Sequence, residues 1–259
     1  MRLGIIGGGR AAWSFGVSWQ RAGWSVSGVN LRDGSRSRVP ELLHAPTISR
    51  HELIELSDII FIATSDRAVA GIASDLNRSA ASKALFHASG SLTSQLFGSH
   101  PVGFSLHPLR ALPEVGSPTS LEDSFLLFEG TDEARVLAAE ICHGLHARMG
   151  ELTVERKRTY HAAAVIGSNY VAALLEIAAR LMEDAGLDSE SMRFHLAKLA
   201  RSAIEVWEDG NGPSRFTGPA ARGDDETVRA HVEALESRPE VAEIYRRLAE
   251  ELKRFTRQV

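Results

Sequence analysis

Short apolar segments alternate with amphipathic segments along the first 153 residues of the chain. Residues 3–6 form a short apolar run, and a pattern with helical spacing follows it, with Trp13, Phe15, Val17 and Trp19 as apolar positions. Further short runs lie at residues 25–31, 58–66, 84–91, 102–106, 124–129 and 148–154, and helical patterns lie at 51–56, 67–76 and 132–146. This alternation predicts an α/β fold, with a Rossmann-type domain and a mostly parallel sheet over residues 1–153.

From residue 154 onward the pattern is helical. Apolar residues recur at spacings of three and four over residues 155–185 until Gly186, which predicts one helix of roughly 45 Å. Such a helix is longer than a small domain needs, so we expect it to pack against a second subunit. Further helices are predicted at 189–207, from Asp224 or Asp225 to about 237, and from Pro239, with a turn at 209–213 and a non-helical segment at 217–224. Residues 154–259 are therefore predicted to form an all-helical domain.

The first apolar run breaks into three glycines before the first predicted helix. Gly7, Gly9 and Ala12 have the G-x-G-x-x-G/A spacing of a dinucleotide-binding turn. The first glycine permits the turn, the second lets the backbone approach a pyrophosphate, and the small third residue lets the helix pack on the strand. The pyrophosphate would bind the free N–H groups at the start of the helix. The predicted contacts are Gly7, Gly8, Gly9, Arg10, Ala11 and Ala12.

The end of the second predicted strand indicates which dinucleotide is bound. NAD-binding folds carry an acidic residue there for the ribose 2′-hydroxyl, but this chain has Asn30, followed by Arg32 and further arginines at 36 and 38. Guanidinium groups bind a 2′-phosphate that a carboxylate would repel, so we predict NADP. Asp33 keeps NAD open as an alternative. Thr64 and Ser65, at the carboxyl end of another predicted strand, are further candidate cofactor contacts.

The composition narrows the class of protein. Of the 259 residues, 44% are hydrophobic and 24% are charged, which allows a full core, and the formal net charge of -4 argues against a nucleic-acid partner. Cys142 is the single cysteine, so no internal disulfide can form, and its apolar helical neighbours predict a core residue. The sequence has no continuous apolar run of membrane-spanning length, no secretory signal and no metal-ligand cluster, so we expect a cytoplasmic protein without a metal site.

Five polar residues are candidates for the chemistry and for substrate binding. Reduction of a carbonyl leaves an alkoxide that needs a proton, and histidine, with a reference pKa of about 6.5, can supply it. His107 lies after a predicted strand and His161 begins the apolar face of the long predicted helix, so either histidine can hold the proton. Asn169, eight residues after His161, would point into the same cleft and orient a carbonyl or carboxylate. Ser89 would border the nicotinamide, and Arg222 would clamp a substrate carboxylate.

Several short motifs together resemble one protein family. They are Gly4-Ile5-Ile6-Gly7 with Gly9-Arg10, Ala63-Thr64-Ser65-Asp66, His87-Ala88-Ser89-Gly90, Ser105-Leu106-His107-Pro108-Leu109, Tyr160-His161-Ala162-Ala163-Ala164 with Ser168-Asn169-Tyr170, and Thr217-Gly218-Pro219 with Arg222-Gly223-Asp224. The chain resembles the bacterial family of Rossmann-like proteins with a helical C-terminal domain of unknown function, which is related to pyrroline-5-carboxylate reductases and ketopantoate reductases.

This resemblance implies a nicotinamide-dependent oxidoreductase fold that dimerises through its helical domain. The resemblance also suggests ketopantoate reductase activity as one candidate function. The lysine usual in those enzymes has no unambiguous match in this chain, because Lys157 is the only lysine near the start of the long predicted helix. The Ser89-Gly90 and His107-Pro108 motifs are also similar to prephenate dehydrogenases, which implies a histidine that acts on a substrate oxygen.

The sequence therefore predicts an NADP-dependent reductase of a small oxo acid or imine, with its active site between the sheet edge and the helical domain of a homodimer. A different class of protein is the alternative: a dinucleotide-binding sensor or interaction protein that keeps the fold without the chemistry. A deazaflavin cofactor is a third alternative, because phosphate and pyrophosphate recognition look alike in a sequence.

Overall fold

The chain folds into two compact units. The computed structural model describes residues 1–210 and 215–257, and its two units are Met1–Ser168 and Asn169–Val259. The first unit extends past the boundary expected at residue 153. Most of the turn predicted at residues 209–213 lies outside the described residues.

The first unit is built on one seven-stranded sheet. Its strands are β1 Arg2–Ile6, β2 Ser25–Asn30, β3 Ile59–Ile62, β4 Ala84–His87, β5 Gly103–Pro108, β6 Phe125–Gly130 and β7 Arg148–Glu151. The strand order is β2-β1-β3-β4-β5-β6-β7. All neighbouring strands are parallel except β5 and β6, which pair antiparallel. This arrangement confirms the predicted Rossmann-type sheet, in which strands buried on both faces are apolar throughout.

Helices cover both faces of the sheet. They are α1 Arg10–Arg21, α2 Val39–Leu42, α3 Arg50–Leu56, α4 Asp66–Ser79 and α5 Asp132–Gly144. A further helix, α6 Lys157–Ile166, follows the last strand. On one face, Phe61 of β3 stacks on Phe86 of β4 with ring centroids 4.5 Å apart, and Phe15 of α1 packs on Phe61 at 4.7 Å. Cys142 of α5 belongs to the same core, and burial raises the pKa of its thiol to about 12. The prediction of Cys142 as a core residue is confirmed.

The single helix predicted over residues 155–185 is wrong. The structure has α6, ending at Ile166, and a separate helix α7, Asn169–Asp184. The Ser168 hydroxyl donates a hydrogen bond of 2.6 Å to the carbonyl of Ala164, and the Ser168 N–H donates to the carbonyl of Val165 at 3.3 Å. The hydroxyl thus takes the acceptor that the next helical N–H would use, and the last turn tightens and ends.

The second unit is helical throughout its described residues. Besides α7 it contains α8 Ser189–Asp209, α9 Pro219–Arg222, α10 Asp225–Ala234 and α11 Pro239–Arg257. The all-helical C-terminal region is confirmed, but the segment at residues 217–224 holds the short helix α9 that the sequence did not predict. Pro219 at the first position and Gly223 in the left-handed region (φ 75°) after the last are the residues that suit such an isolated turn.

One stretch, Val154–Asp184, is long and apolar enough to cross a membrane when judged by length and composition only. The mean hydropathy over its most apolar 18 residues is 1.6, and only 6% of those residues are buried. A single stretch of this kind is weak evidence for a span, and here the turn between α6 and α7 interrupts it.

Candidate active site at the carboxyl edge of the sheet

The register of the parallel strands brings the predicted site residues of the first unit to one edge. Ile6 of β1 pairs with Ile62 of β3, Ile62 pairs with His87 of β4, and His87 pairs with Ser105 of β5. The chain therefore leaves these strands side by side, as open α/β sheets do at their ligand-binding edge. The segments that meet there are residues 7–9, 63–65, 88–90 and 107–108.

The glycine turn has the conformation that a dinucleotide site needs. Gly7 adopts φ +114°, and a Cβ at this position would collide with the carbonyl of Ala63. Gly9 precedes α1 in an extended conformation without a side-chain cap, and a Cβ there would meet no protein atom within 4 Å. The N–H groups of Arg10 and Ala11 thus begin an uncapped helix, while Ala12 is fully buried against the sheet. These features fit a pyrophosphate at the start of α1.

The other predicted cofactor contacts surround one cavity. It measures about 410 Å³, and four predicted residues line it, Asn30, Arg32, Thr64 and Ser65. The hydroxyl of Thr64 is buried and has no hydrogen-bond partner in the described structure. An orphaned buried donor of this kind fits a polar ligand in the cavity, since leaving it unpaired is costly. The residues therefore fit a phosphorylated dinucleotide.

Both candidate histidines of the first unit lie in one cluster. The ring centroids of His107 and His161 are 5.8 Å apart, with the rings nearly perpendicular. The backbone of Gly90 fills the space beside them, because a Cβ on Gly90 would overlap His161 Nδ1 and lie 2.9 Å from His107 Nε2. His161 Nδ1 is buried without a hydrogen-bond partner among the described residues. The cluster thus presents ring nitrogens at the sheet edge.

Tyr160 completes the cluster, and the sequence analysis gave it no role. Its hydroxyl lies 2.7 Å from His107 Nδ1, which fixes the orientation of the ring. Burial, and then the charges of His161 and Lys157, lower the pKa of His107 to about 4. Burial raises the pKa of Tyr160 to about 12. Both side chains are therefore neutral near pH 7, and the hydrogen bond leaves His107 Nε2 for a ligand.

A buried lysine lies beneath the histidines. The Lys157 ammonium donates to the hydroxyl of Ser105 and to Glu129, whose Oε2 lies 3.3 Å away. Burial lowers the pKa of Lys157, and the charge and hydrogen bond of Glu129 oppose that shift. The sequence predicts no role for Ser105 or Glu129, and it offers Lys157 only as an ambiguous match for the lysine of ketopantoate reductases. Two signals were present: a glutamate within the apolar strand β6, and Lys157, Tyr160 and His161 at the i, i+3, i+4 spacing of one helix face.

Ser89 is held by the protein. Its hydroxyl donates a 3.0 Å hydrogen bond to Asp66, the first residue of α4, and the Ser91 hydroxyl donates to the same carboxylate oxygen at 2.8 Å. The Ser89 N–H also donates to His87 Nδ1 at 3.2 Å. Ser89 therefore shapes the loop that carries Gly90 past the histidines. The arrangement favours a structural contribution over direct catalysis.

Two predicted substrate residues belong to the second unit. Asn169 is the first residue of α7, and Arg222 is an exposed residue at the end of α9. Since a helix end separates His161 from Asn169, the argument that eight residues of continuous helix place them on one face does not hold. Asp224, close to Arg222, accepts hydrogen bonds from the hydroxyl and from the N–H of Thr227, and these bonds lower the pKa of Asp224 while the second caps α10.

Among the described residues, no group of three His, Cys, Asp or Glu side chains is arranged to hold a metal ion. No curated protein matches the chain.

Several solved structures share the fold at low sequence identity. A protein of Bacteroides fragilis, described as a candidate NADP oxidoreductase, is 18% identical, with a TM-score of 0.78 and coverage of 98% of each chain. The protein TM1727 of Thermotoga maritima is 22% identical, with a TM-score of 0.74 and the same coverage. The pyrroline carboxylate reductase of Plasmodium falciparum, solved with NADP bound, is 14% identical, with a TM-score of 0.62, 99% coverage of this chain and 98% of the other.

Residues 124–252 match the family model described as a domain of unknown function, DUF2520. The matched residues begin in the Rossmann-type unit, just before β6, and include Lys157, Tyr160 and His161 as well as most of the helical unit. The chain therefore carries a DUF2520 domain, which confirms the resemblance seen in the sequence to Rossmann-like proteins with a helical C-terminal domain of unknown function.

Proposed function

We propose that this chain is an NADP-dependent oxidoreductase that reduces the carbonyl or imine group of a small substrate such as an oxo acid. One observation carries the proposal: the uncapped start of α1 at Gly9 and the neutral His107–Tyr160 pair lie along the same edge of one sheet. A dinucleotide site and a positioned proton donor are the two parts that such a reduction needs.

The residues of the glycine turn would hold the cofactor. Backbone N–H groups from Gly9 to Ala12 would bind the pyrophosphate at the positive end of α1. Thr64 and Ser65 would contact the cofactor from the end of β3, and Arg32 would bind the 2′-phosphate. When bound, NADP supplies the hydride. The pyrroline carboxylate reductase that shares this fold was solved with NADP bound, which supports NADP as the cofactor here.

His107 would supply the proton. With Tyr160 donating to Nδ1, His107 is the tautomer that carries hydrogen on Nε2, the nitrogen nearest Gly90. That N–H can pass its proton to the substrate oxygen or nitrogen as negative charge develops there, while Nδ1 takes up the proton of the Tyr160 hydroxyl, so the ring stays neutral. The Tyr160 oxygen would then recover a proton from water. His161 is the alternative donor from the same cluster. Lys157 acts on both as a positioning residue, because its buried ammonium fixes the first turn of α6 and disfavours a charged His107.

The helical unit would bind the substrate and form a homodimer. Arg222 would clamp a substrate carboxylate, and Asn169 would orient its carbonyl. Twelve of the sixteen exposed large apolar side chains in the described structure lie at or after Ile166. Helices α7, α8 and α11 carry most of them, and a second copy of the same surface would cover them. Residues 1–153 would then bind NADP and residues 154–259 the substrate and the partner, in a cytoplasmic enzyme.

Two measurements on the purified chain test the proposal. Calorimetric titration with NADPH and NADH should give clear binding with preference for NADPH. Oxidation of NADPH should then be followed with a panel of oxo acids and imines, and His107→Asn should lower the rate by about 10²–10⁴-fold. His143→Asn, on exposed α5 surface, is the matched control and should keep full activity. Binding of NADPH without its oxidation by any compound of the panel would favour the dinucleotide-binding sensor. Failure to bind NADPH or NADH would overturn both the enzyme and the sensor.

A further inference from the structure

Arg50 lines the predicted cofactor cavity together with the residues that the sequence indicated. It is the first residue of α3, yet it lines the same 410 Å³ cavity as Arg32 and Ser35, which follow β2. Two arginines from different segments therefore line one cavity. Arg50 is twenty residues beyond Asn30, outside the loop that sequence reasoning searches for a 2′-phosphate ligand.

The segment that carries Arg50 is fixed to the end of β2. The Asn30 side-chain amide donates a 2.9 Å hydrogen bond to the carbonyl of Ile48, and the Ile48 N–H donates to the carbonyl of Val29 at 3.1 Å. Ser49 then caps α3 in a reciprocal capping box with Glu52. Asn30 therefore serves to anchor this segment, and the backbone of Arg50 is held in place before any ligand binds.

The guanidinium of Arg50 is incompletely paired. Its Nε is buried and has no hydrogen-bond partner in the described structure. Its Nη1 reaches Asp75 of α4 only at 3.5 Å, whereas Arg78 binds the other oxygen of that carboxylate at 2.9 Å. An exposed contact of this length contributes little. Arg50 thus keeps donors available for an acceptor inside the cavity.

The charges of the residues that line the cavity indicate which ligand group binds there. Among the described residues that line it, none is acidic, while Arg32 and Arg50 both bring a full positive charge. Asp33, the residue that could have bound a ribose 2′-hydroxyl, is exposed and does not line the cavity. A phosphate monoester fits a cavity lined by two arginines, because each guanidinium group can bind two of its oxygens.

From this geometry we infer that Arg50 is a specificity-determining residue of the cofactor site, which binds the 2′-phosphate of NADP jointly with Arg32. The inference rests on the proposed function, since it assigns a contact within the same dinucleotide site. It makes the preference for NADPH over NADH depend on a residue of α3.

Binding of four ligands by calorimetry tests the assignment: NADPH, NADH, adenosine 2′,5′-bisphosphate and 5′-AMP. Arg50→Ala should weaken the binding of NADPH and of the bisphosphate by roughly tenfold to a hundredfold, as expected for a lost charged hydrogen bond. The affinities for NADH and 5′-AMP should change less than about threefold, because these ligands lack the 2′-phosphate. Arg50→Lys should give an intermediate loss, since it keeps the charge without the fork. Arg135→Ala, an exposed arginine of α5 outside the cavity lining, is the matched control and should leave the binding of all four ligands unchanged.

The outcomes separate the inference from the proposed function. Equal losses for NADPH and NADH in Arg50→Ala would mean that Arg50 only supports the fold of the cavity, and unchanged NADPH binding would mean that it does not contact the phosphate. Either result overturns the inference while the wild-type chain still binds NADPH. Failure of the wild-type chain to bind any of the four ligands would overturn the proposed function itself. Thermal unfolding of each variant confirms that the compared proteins are folded.

Discussion

Lys157 and Glu129 form a buried ion pair in which Nζ lies 3.3 Å from Oε2 and both side chains are 2% exposed. The pair joins the first turn of α6 to strand β6. Glu129 also accepts a hydrogen bond of 2.8 Å from the Ser94 N–H, so its charge is well satisfied. Because Tyr160 and His161 follow Lys157 by three and four residues on one helix face, the ion pair positions both of them against the sheet edge.

Removing one partner of this pair should be far more damaging than removing both. Lys157→Met leaves the Glu129 carboxylate buried without its cation, and we expect the free energy of unfolding to fall by about 3–5 kcal/mol. The double variant Lys157→Met with Glu129→Leu should recover most of that loss in urea unfolding. Arg2→Met, which breaks the exposed pair with Asp58, serves as the control and should cause a much smaller change. Similar losses in the single and double variants would show that the pair does not act as a unit.

The local pattern of apolar and glycine residues was enough to predict most of the sheet. The strand, glycine turn and helix at the start of the chain are local features, and they are found where the apolar run and the glycine spacing predicted them. His107 and His161 were identified because both follow or begin predicted elements. Their meeting, with ring centroids 5.8 Å apart beside Gly90, depends on the register of β4 and β5 and on the placement of α6.

Other features depend on contacts between segments far apart in the chain. A lysine at the start of an apolar helix normally extends into water, and only the approach of Glu129 and Ser105 makes the burial of Lys157 tolerable. The end of α6 is also hidden in the sequence, because the apolar spacing continues across Ser168 and the helix ends through a side-chain hydrogen bond. Arg50 likewise joins the cofactor cavity through the pairing of residue 48 with β2.

Buried histidines should make the fold sensitive to mild acid. Burial lowers the pKa of His87 to about 3, and burial together with nearby positive charges lowers the pKa of His107 to about 4. The unfolded chain takes up these protons near pH 6.5 and the folded chain does not. The free energy of unfolding should therefore fall between about pH 6.5 and about pH 4, by up to about 1.4 kcal/mol per pH unit for each histidine.

Urea unfolding of His87→Asn and His107→Asn across that pH range checks this dependence. Each variant should have a shallower decline than the wild-type chain, because it lacks one of the groups that the unfolded state protonates. The exposed His143 provides the control, since His143→Asn should keep the wild-type decline. Parallel declines in all four proteins would mean that neither buried histidine is responsible.

The two glycines of the cofactor turn should respond differently to alanine. At Gly7 the positive φ and the carbonyl of Ala63 leave no room for a Cβ, so Gly7→Ala should destabilise the fold. At Gly9 the backbone is extended and the space is open. Gly9→Ala should therefore change the free energy of unfolding by no more than about 0.5 kcal/mol. It should weaken NADPH binding at least roughly tenfold, because the new methyl group would occupy the position of the pyrophosphate. Unchanged NADPH affinity in a stable Gly9→Ala protein would place the pyrophosphate elsewhere.

The exposed apolar face of the helical unit should determine the oligomeric state. Leu199 of α8 is 64% exposed, so a charge at this position costs little in an isolated chain but much in a covered interface. We expect the wild-type chain to have the mass of a dimer in light scattering and Leu199→Glu to have the mass of a monomer at micromolar concentration, with the far-UV circular dichroism unchanged. Val136→Glu, on equally exposed surface of the first unit, should remain dimeric. A monomeric wild-type chain would refute the homodimer, whereas a dimeric Leu199→Glu protein would place the interface on α7 or α11.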